Sequence, residues 1–153
     1  VGEILTLANH AVAQDVEEGR FVTIFMVRLV PDEPAVVYTS AGHVAYVIRF
    51  RGDVETLSPT GIALGIDANA AMATSDPVPL ETGDVLLLVT DGLLETRSPD
   101  GTLFGEERMI EAVRKNLKLP AAELVNVIFH AAEKYAEGAP QRDDNTVVVV
   151  KRT

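Results

Sequence analysis

Apolar residues recur at helical spacing at the start of the chain and again in its last third. The first predicted helix covers residues 1–18, and Gly19 follows where a C-terminal cap belongs. Its apolar positions share one face: Ile4, Leu5, Ala8, Ala11 and Val12. A second helix is predicted over residues 106–116, and a third begins at Pro120 and ends before Gly138.

Runs rich in β-branched and aromatic residues fill the space between these helices. The predicted strands are 21–30, 35–40, 44–50, 54–57, 72–80, 85–89 and 146–150. Residues 31–34 separate the first two strands, and the Arg-Gly-Asp at 51–53 supplies a turn between the next two, so two hairpins are expected. A strand is also predicted at 72–80, where prolines at 77 and 79 mark either an edge strand or the end of the strand, and it is expected to pair with 85–89.

The stretch from Val85 to Gly101 carries the candidate chemistry. A continuous apolar strand ends at Asp91, and a carboxylate there is costly unless a metal ion or hydrogen-bond donors satisfy it. Gly92 then allows a sharp turn and a close approach of another group. Asp143 and Asp144 repeat this pattern before the last strand. Taken alone, however, Asp91 fits the cap of a short helical turn at 93–96 equally well, and 142–145 fits a plain polar loop.

Composition narrows the classes of partner and site. The 153 residues carry a net charge of -10, which disfavours nucleic acid and anionic membranes. There is no cysteine, so disulfides and thiolate sites are excluded and a cytoplasmic location is expected. No apolar run reaches the roughly 18 residues of a membrane span. Oxygen ligands without thiolates suit Mg²⁺ or Mn²⁺.

Several motifs together resemble those of SpoIIE-type bacterial phosphatases, a branch of the metal-dependent PPM (2C) serine/threonine phosphatases. The matching segments, in the family's order, are Phe21-Val22-Thr23, Ala41-Gly42-His43, Leu64-Gly65-Ile66, Thr90-Asp91-Gly92 with Glu95, residues 98–108, and Asp143-Asp144-Asn145-Thr146. The similarity extends through nearly the whole chain.

The resemblance implies an α/β (α+β) fold, a layered αββα sandwich of two mainly antiparallel sheets flanked by helices. It also implies hydrolysis of phosphoserine or phosphothreonine by a water bound to two Mn²⁺ or Mg²⁺ ions, in a regulatory protein such as an anti-sigma-factor antagonist. Asp91 and Asp143 are the implied catalytic residues. The implied metal-binding residues are Asp91, Gly92, Asp143 and Asp144, and a one-residue shift in the alignment would exchange the roles of the last two.

Two acidic N-terminal segments of the family, a Gly-Asp-Phe-Tyr-Asp-like strand and an Asp-Val-x-Gly-His-Gly-like turn, do not occur in these residues. Residues 1–153 are therefore expected to be the C-terminal major part of one phosphatase domain, incomplete at the N-terminus. By itself this part is expected to be inactive and to associate into homo-oligomers through uncovered strand edges. The alternative is a catalytically inactive, partner-binding relative or a truncated fragment, which metal-dependent release of phosphate would discriminate.

The three histidines are interpreted as structural. His10 and His130 lie beside the apolar faces of predicted helices. His43 follows a position where the family motif begins with Asn, whereas this chain has Ser40, and the segment is interpreted as shaping the end of the sheet.

A haloacid-dehalogenase phosphatase also places Asp-Gly after an apolar strand, but it needs a nucleophilic Asp two residues before the Asp at position 91. Val89 occupies that position, so this class is excluded.

Overall fold

A computed structural model describes residues 1–17, 19–30 and 33–153. The helices in this part of the chain are α1 (Gly2–Asp15), α2 (Asp91–Leu94), α3 (Gly105–Arg114) and α4 (Ala121–Ala136). The strands are β1 (Ile24–Leu29), β2 (Ala35–Ala41), β3 (Ala45–Ile48), β4 (Val54–Leu57), β5 (Val78–Pro79), β6 (Val85–Val89) and β7 (Val147–Lys151).

The chain divides into two compact units. The first contains Val1–Ala45 and Thr56–Glu81, and the second contains Tyr46–Glu55 and Thr82–Thr153. A length of 153 residues by itself predicts one compact unit, whereas the structure contains two. The assignment of all 153 residues to a single phosphatase domain stays a prediction.

The first unit contains α1 and a three-stranded sheet of order β1-β2-β5, antiparallel throughout. Its core includes a cluster of buried apolar side chains: Leu5, Ala41, Leu64 and Met72. Asn9 on α1 is buried, and its amide donates to the carbonyl of Asp67 at 2.8 Å. Its side-chain oxygen accepts the Gly65 amide at 3.0 Å, so a single polar residue fixes the segment from Gly65 to Asp67 against the helix.

The second unit contains α2, α3, α4 and most of a four-stranded sheet of order β4-β3-β6-β7. The interior strand β6 is almost entirely buried, which explains its continuous apolar sequence. Asp84 immediately precedes this strand and is only 3% exposed. Its carboxylate accepts bonds from the Arg49 guanidinium at 3.0 Å and the Phe50 amide at 2.9 Å, so its burial is compensated.

Most of the predicted elements are confirmed. The β1–β2 hairpin is antiparallel, with Ile24 opposite Ala41. In the β3–β4 connection, Gly52 has a φ of 96° and its amide donates to the Arg49 carbonyl at 2.7 Å. The α+β class with two antiparallel sheets and helices is confirmed as well.

The predicted strand at 72–80 is wrong for most of its length. Only Val78 and Pro79 form a strand, and they pair with β2 rather than with β6, which lies between β3 and β7. Pro77 and Pro79 each lack the amide that a longer ladder would need. Val78 opposes Val36 and is buried, so its apolar character reflects packing in the first unit.

The end of α1 differs from prediction too. The helix ends at Asp15, and Val16, with extended backbone, follows it, so Gly19 does not cap the helix. The predicted last residue, Glu18, and the first two residues of the predicted turn at 31–34 lie outside the described residues. In the described part of the chain, every helix is too short or too polar to cross a bilayer.

Candidate functional site

The end of β6 and the start of β7 are joined through Thr90. The two strands are antiparallel, with Val89 opposite Val147, so the segments flanking them meet at one edge of the sheet. The Thr90 amide donates to the Thr146 carbonyl at 3.1 Å, and the Thr146 amide donates to the Thr90 hydroxyl oxygen at 2.9 Å. The same hydroxyl donates to the Asp144 carbonyl at 3.2 Å. Thr90 thus holds together two acidic segments, one that begins at Asp91 and one that spans residues 141–145.

Asp91 is the first residue of α2 and is exposed. Thr90, not Asp91, occupies the N-cap position, and no side-chain cap bond forms there. The Asp91 carbonyl accepts the Glu95 amide at 2.8 Å, which is the bond that closes this short helical turn. The capping interpretation of Asp91 is therefore not supported, and its carboxylate faces solvent.

Gly92 is required by a close approach of two backbones. A methyl carbon at this position would lie 2.4 Å from the carbonyl oxygen of Asp144 and 2.9 Å from Oδ1 of Asn145. No side chain larger than hydrogen fits without moving one of the acidic segments. The Gly92 carbonyl accepts a bond from the Thr96 hydroxyl at 3.3 Å, so one of its two lone pairs is engaged.

The segment from Gln141 to Asn145 presents the second group of oxygens. One carboxylate oxygen of Asp143 accepts the Asp144 amide at 2.8 Å, and the Gln141 side chain donates to the Asp143 carbonyl at 2.7 Å. Both aspartates are exposed. Oδ1 of Asn145 is buried and has no hydrogen-bond partner in the described structure, an arrangement that is costly unless another group satisfies it.

The ligand atoms available in these two segments are of the chemical type that a hard cation binds. They are all oxygens, they come from two segments that Thr90 links, and they include one buried oxygen without a donor. Within residues 1–17, 19–30 and 33–153, no three His, Asp or Glu side chains are grouped closely enough to bind a metal ion. The assignment of Asp91, Gly92, Asp143 and Asp144 as metal ligands stays a prediction.

Tyr46 is a residue near this site that the sequence did not reveal. It lies on β3 and is 3% exposed, and its hydroxyl is hydrogen-bonded to the carboxylate of Glu106 at the start of α3. Burial, the hydrogen bond and negative charge of Glu106, and the negative charge of Asp91 together raise the pKa of Tyr46 to about 12, and burial has the largest effect. A single tyrosine in the otherwise aliphatic strand Ala45–Ile48 was the only available signal.

We predict that Tyr46 makes stability fall at alkaline pH. The pKa of Tyr46 in the folded state lies above the unfolded value of about 10. Its contribution to the free energy of unfolding is therefore complete below about pH 10 and is lost as the pH rises to about 12. An absorbance titration of tyrosinate in metal-free buffer should show a late ionisation near pH 12 that Tyr46→Phe removes. A Tyr135→Phe variant should keep this late phase; its loss in that variant would show that the phase belongs to another tyrosine.

His43 belongs to the first unit, whereas Asp91 and Asp143 belong to the second. The His43 amide donates to the Ser40 hydroxyl oxygen at 3.2 Å, and that hydroxyl donates to the His43 carbonyl. Ser40 therefore closes the turn after β2, in agreement with the structural interpretation of this segment. His10 and His130 are exposed on their helices.

Comparison with known proteins places these features in a family. A sequence model of the family described as Stage II sporulation protein E (SpoIIE) matches residues 1–153. Protein IcfG of Synechocystis sp. is 29% identical over 133 residues, which are 86% of this chain and 21% of that protein. Phosphoserine phosphatase RsbU of Bacillus subtilis is 28% identical over 152 residues, which are 98% of this chain and 44% of that protein. The chain thus spans less than half the length of either relative.

Solved structures share the fold. The SiaA-PP2C domain of Pseudomonas aeruginosa matches 99% of this chain with a TM-score of 0.86 and 21% identity, over 61% of its own length. The catalytic domain of the serine/threonine phosphatase PstP, solved with two manganese ions, matches 97% of this chain and 67% of its own length, with a TM-score of 0.62 and 19% identity. The fold of this chain is thus that of PP2C phosphatase domains.

Proposed function

Since this chain belongs to the SpoIIE family of PP2C-like serine/threonine phosphatases, we propose that residues 1–153 form the C-terminal major part of a domain that hydrolyses phosphoserine or phosphothreonine in a protein. The observation that carries this proposal is the junction of two acidic segments at one sheet edge. Thr90 links them through three hydrogen bonds, and Gly92 lets their backbones touch.

Asp91 and Asp143 are the proposed catalytic residues, as ligands of Mg²⁺ or Mn²⁺, with Asp144 and the Gly92 carbonyl as further oxygen ligands. Such an ion, when bound, supplies positive charge to the phosphoryl oxygens and lowers the pKa of a bound water. The protein's own contribution is to hold these oxygens in place through Thr90 and to keep a high density of negative charge around them. The manganese in the PstP structure supports this choice of metal.

The proposed substrate is a phosphorylated regulatory protein of the anti-sigma-factor-antagonist type. The similarity to the phosphoserine phosphatase RsbU supports a phosphoserine substrate. With a net charge of -10, the chain would repel a phosphorylated partner unless cations lay between them, which agrees with a metal-dependent reaction. The lack of cysteine supports a reducing compartment such as the cytoplasm.

The experiment that tests this proposal measures release of inorganic phosphate from a phosphoserine protein by the protein that contains this chain together with the complete phosphatase domain. We expect release that requires Mn²⁺ or Mg²⁺ and stops on chelation. Release that continues in excess chelator would contradict a metal-dependent mechanism.

A second candidate function is a partner-binding module without turnover. The described residues contain no group of three potential metal-binding side chains, and this observation favours it. A module of this kind would bind the phosphorylated partner without releasing phosphate at any metal concentration, so the same assay combined with a binding measurement separates the two functions.

We predict that a mass-verified chain of 153 residues hydrolyses p-nitrophenyl phosphate no faster than a manganese-containing buffer. Mn²⁺ and Mg²⁺ require near-octahedral coordination, and the proposed ligands within residues 1–153 would supply only part of such a site. Robust manganese-dependent turnover that Asp91→Asn abolishes would show that the site is complete within these residues.

A further inference from the structure

A cavity in the second unit adjoins the two acidic segments. It has a volume of about 460 Å³ and lies between α4, the segment after α2, and the loop that leads into β7. Gly92 and Asp143 are part of its wall, so a molecule that fills the cavity lies directly beside the proposed metal ligands. Phe129 and Ala132 of α4 contribute apolar surface. The cavity thus has the position expected for a bound substrate.

Among the described residues, the wall of this cavity contains two arginines that differ in the hydrogen bonding of their guanidinium groups. The guanidinium of Arg97 donates to the Gly101 carbonyl at 2.9 Å, which holds it against the neighbouring turn. Arg142 is exposed, and the structure shows no hydrogen bond or ion pair from its guanidinium to any described residue. It directly precedes Asp143, whose carbonyl is held by Gln141. Arg142 is therefore a cation on an anchored segment with its donors free.

The charge of the cavity explains why such a cation is needed. Glu95, Glu133 and Asp143 bring three carboxylates to a wall that contains two guanidinium groups. A phosphate ester of charge about -2 is repelled by these carboxylates unless donors face it. A guanidinium offers two parallel N–H donors that match two phosphate oxygens, a geometry that lysine does not provide.

We propose that Arg142 is a substrate-binding residue that holds the phosphoryl oxygens of a phosphoserine or phosphothreonine side chain in this cavity. The proposal rests on the proposed phosphatase function and adds to it the residue that recognises the phosphate. Arg142 acts on binding, whereas Asp91 and Asp143 act through the metal.

Binding of O-phospho-L-serine to the isotope-labelled chain, followed by NMR in Mg²⁺ buffer, tests the proposal. We expect saturable shifts at the amides of Gly92 and residues 142–145. Arg142→Ala should weaken binding at least about tenfold, because a charged bidentate contact is lost. Arg142→Lys should recover part of the loss, and Arg51→Ala, which removes an exposed arginine in the β3–β4 turn, should change nothing. Unchanged affinity in Arg142→Ala, shifts confined to other residues, or absence of saturable binding by the wild-type chain would overturn the proposal.

Kinetics of the protein with the complete phosphatase domain separate this inference from the proposed function. Arg142→Ala should raise KM for a phosphoserine peptide about tenfold and leave kcat within about twofold, since it removes a contact made equally in the ground state and the transition state. If Arg142→Ala leaves KM unchanged while turnover still depends on Asp91, this inference fails and the phosphatase function stands. If turnover survives Asp91→Asn while KM depends on Arg142, the metal assignment fails and the phosphate-binding role of Arg142 stands.

Discussion

Replacing Asp91 with Asn in the protein with the complete phosphatase domain is expected to lower metal-dependent phosphate release about a thousandfold. Asn keeps the shape of the side chain but removes the charge that attracts a divalent cation. Asp91 is exposed and caps no helix, and no described residue donates to its carboxylate, so the fold should hardly change. The measurement is kcat/KM on a phosphoserine protein, together with the manganese concentration that gives half-maximal rate.

The matched control for this prediction is Asp53→Asn. Asp53 is also exposed and lies in the second unit, in the turn between β3 and β4. The substitution Asp53→Asn removes the same single negative charge as Asp91→Asn, so any general electrostatic effect appears in both variants. Near-wild-type activity in Asp91→Asn, or an equal loss in Asp53→Asn, would defeat the assignment of Asp91 as a metal ligand. Asp143→Asn and Asp144→Asn, compared in the same assay, decide which of these neighbours binds the metal.

Replacing Gly92 with Ala is expected to lower the same activity about a hundredfold and to destabilise the chain by about 1–3 kcal/mol. The added methyl group would lie 2.4 Å from the Asp144 carbonyl oxygen, so one acidic segment must move away from the other. Helix propensity works in the opposite direction, because Ala is favoured over Gly within a helix by about 1 kcal/mol. Thermal unfolding, with an expected loss of a few degrees, and kcat/KM measure the two effects.

Gly101→Ala separates loss of stability from displacement of the site. Gly101 has a φ of 87°, so Ala there costs about 1–2 kcal/mol of backbone strain, but a methyl group would meet no atom within 4 Å. We expect Gly101→Ala to lower the unfolding temperature about as much as Gly92→Ala does and to leave activity near the wild-type value. If both glycine variants lose activity in proportion to stability, the close approach at Gly92 has no specific role in the site.

The two acidic segments of the candidate site were predictable because their signals are local. An apolar run that stops at Asp91-Gly92 and a pair of acids ahead of a β-branched strand can be read from a few neighbouring residues each. The strand β6, the helices α3 and α4 and the two hairpins follow from the same short-range patterns. Their ends differ from prediction by a few residues, since fraying and capping depend on partners distant in sequence.

The sequence by itself determined the types of element, their order and the two segments that supply carboxylates, because backbone propensity and apolar periodicity act within about ten residues. Only the tertiary structure decided which strands pair and which side chains contact each other. It pairs β5 with β2 instead of β6, and it locks Thr90 to Thr146. It also brings Tyr46 to Glu106 and leaves Arg142 free beside Asp143. These contacts join residues far apart along the chain, and their energies depend on burial and distance, which a linear pattern does not contain.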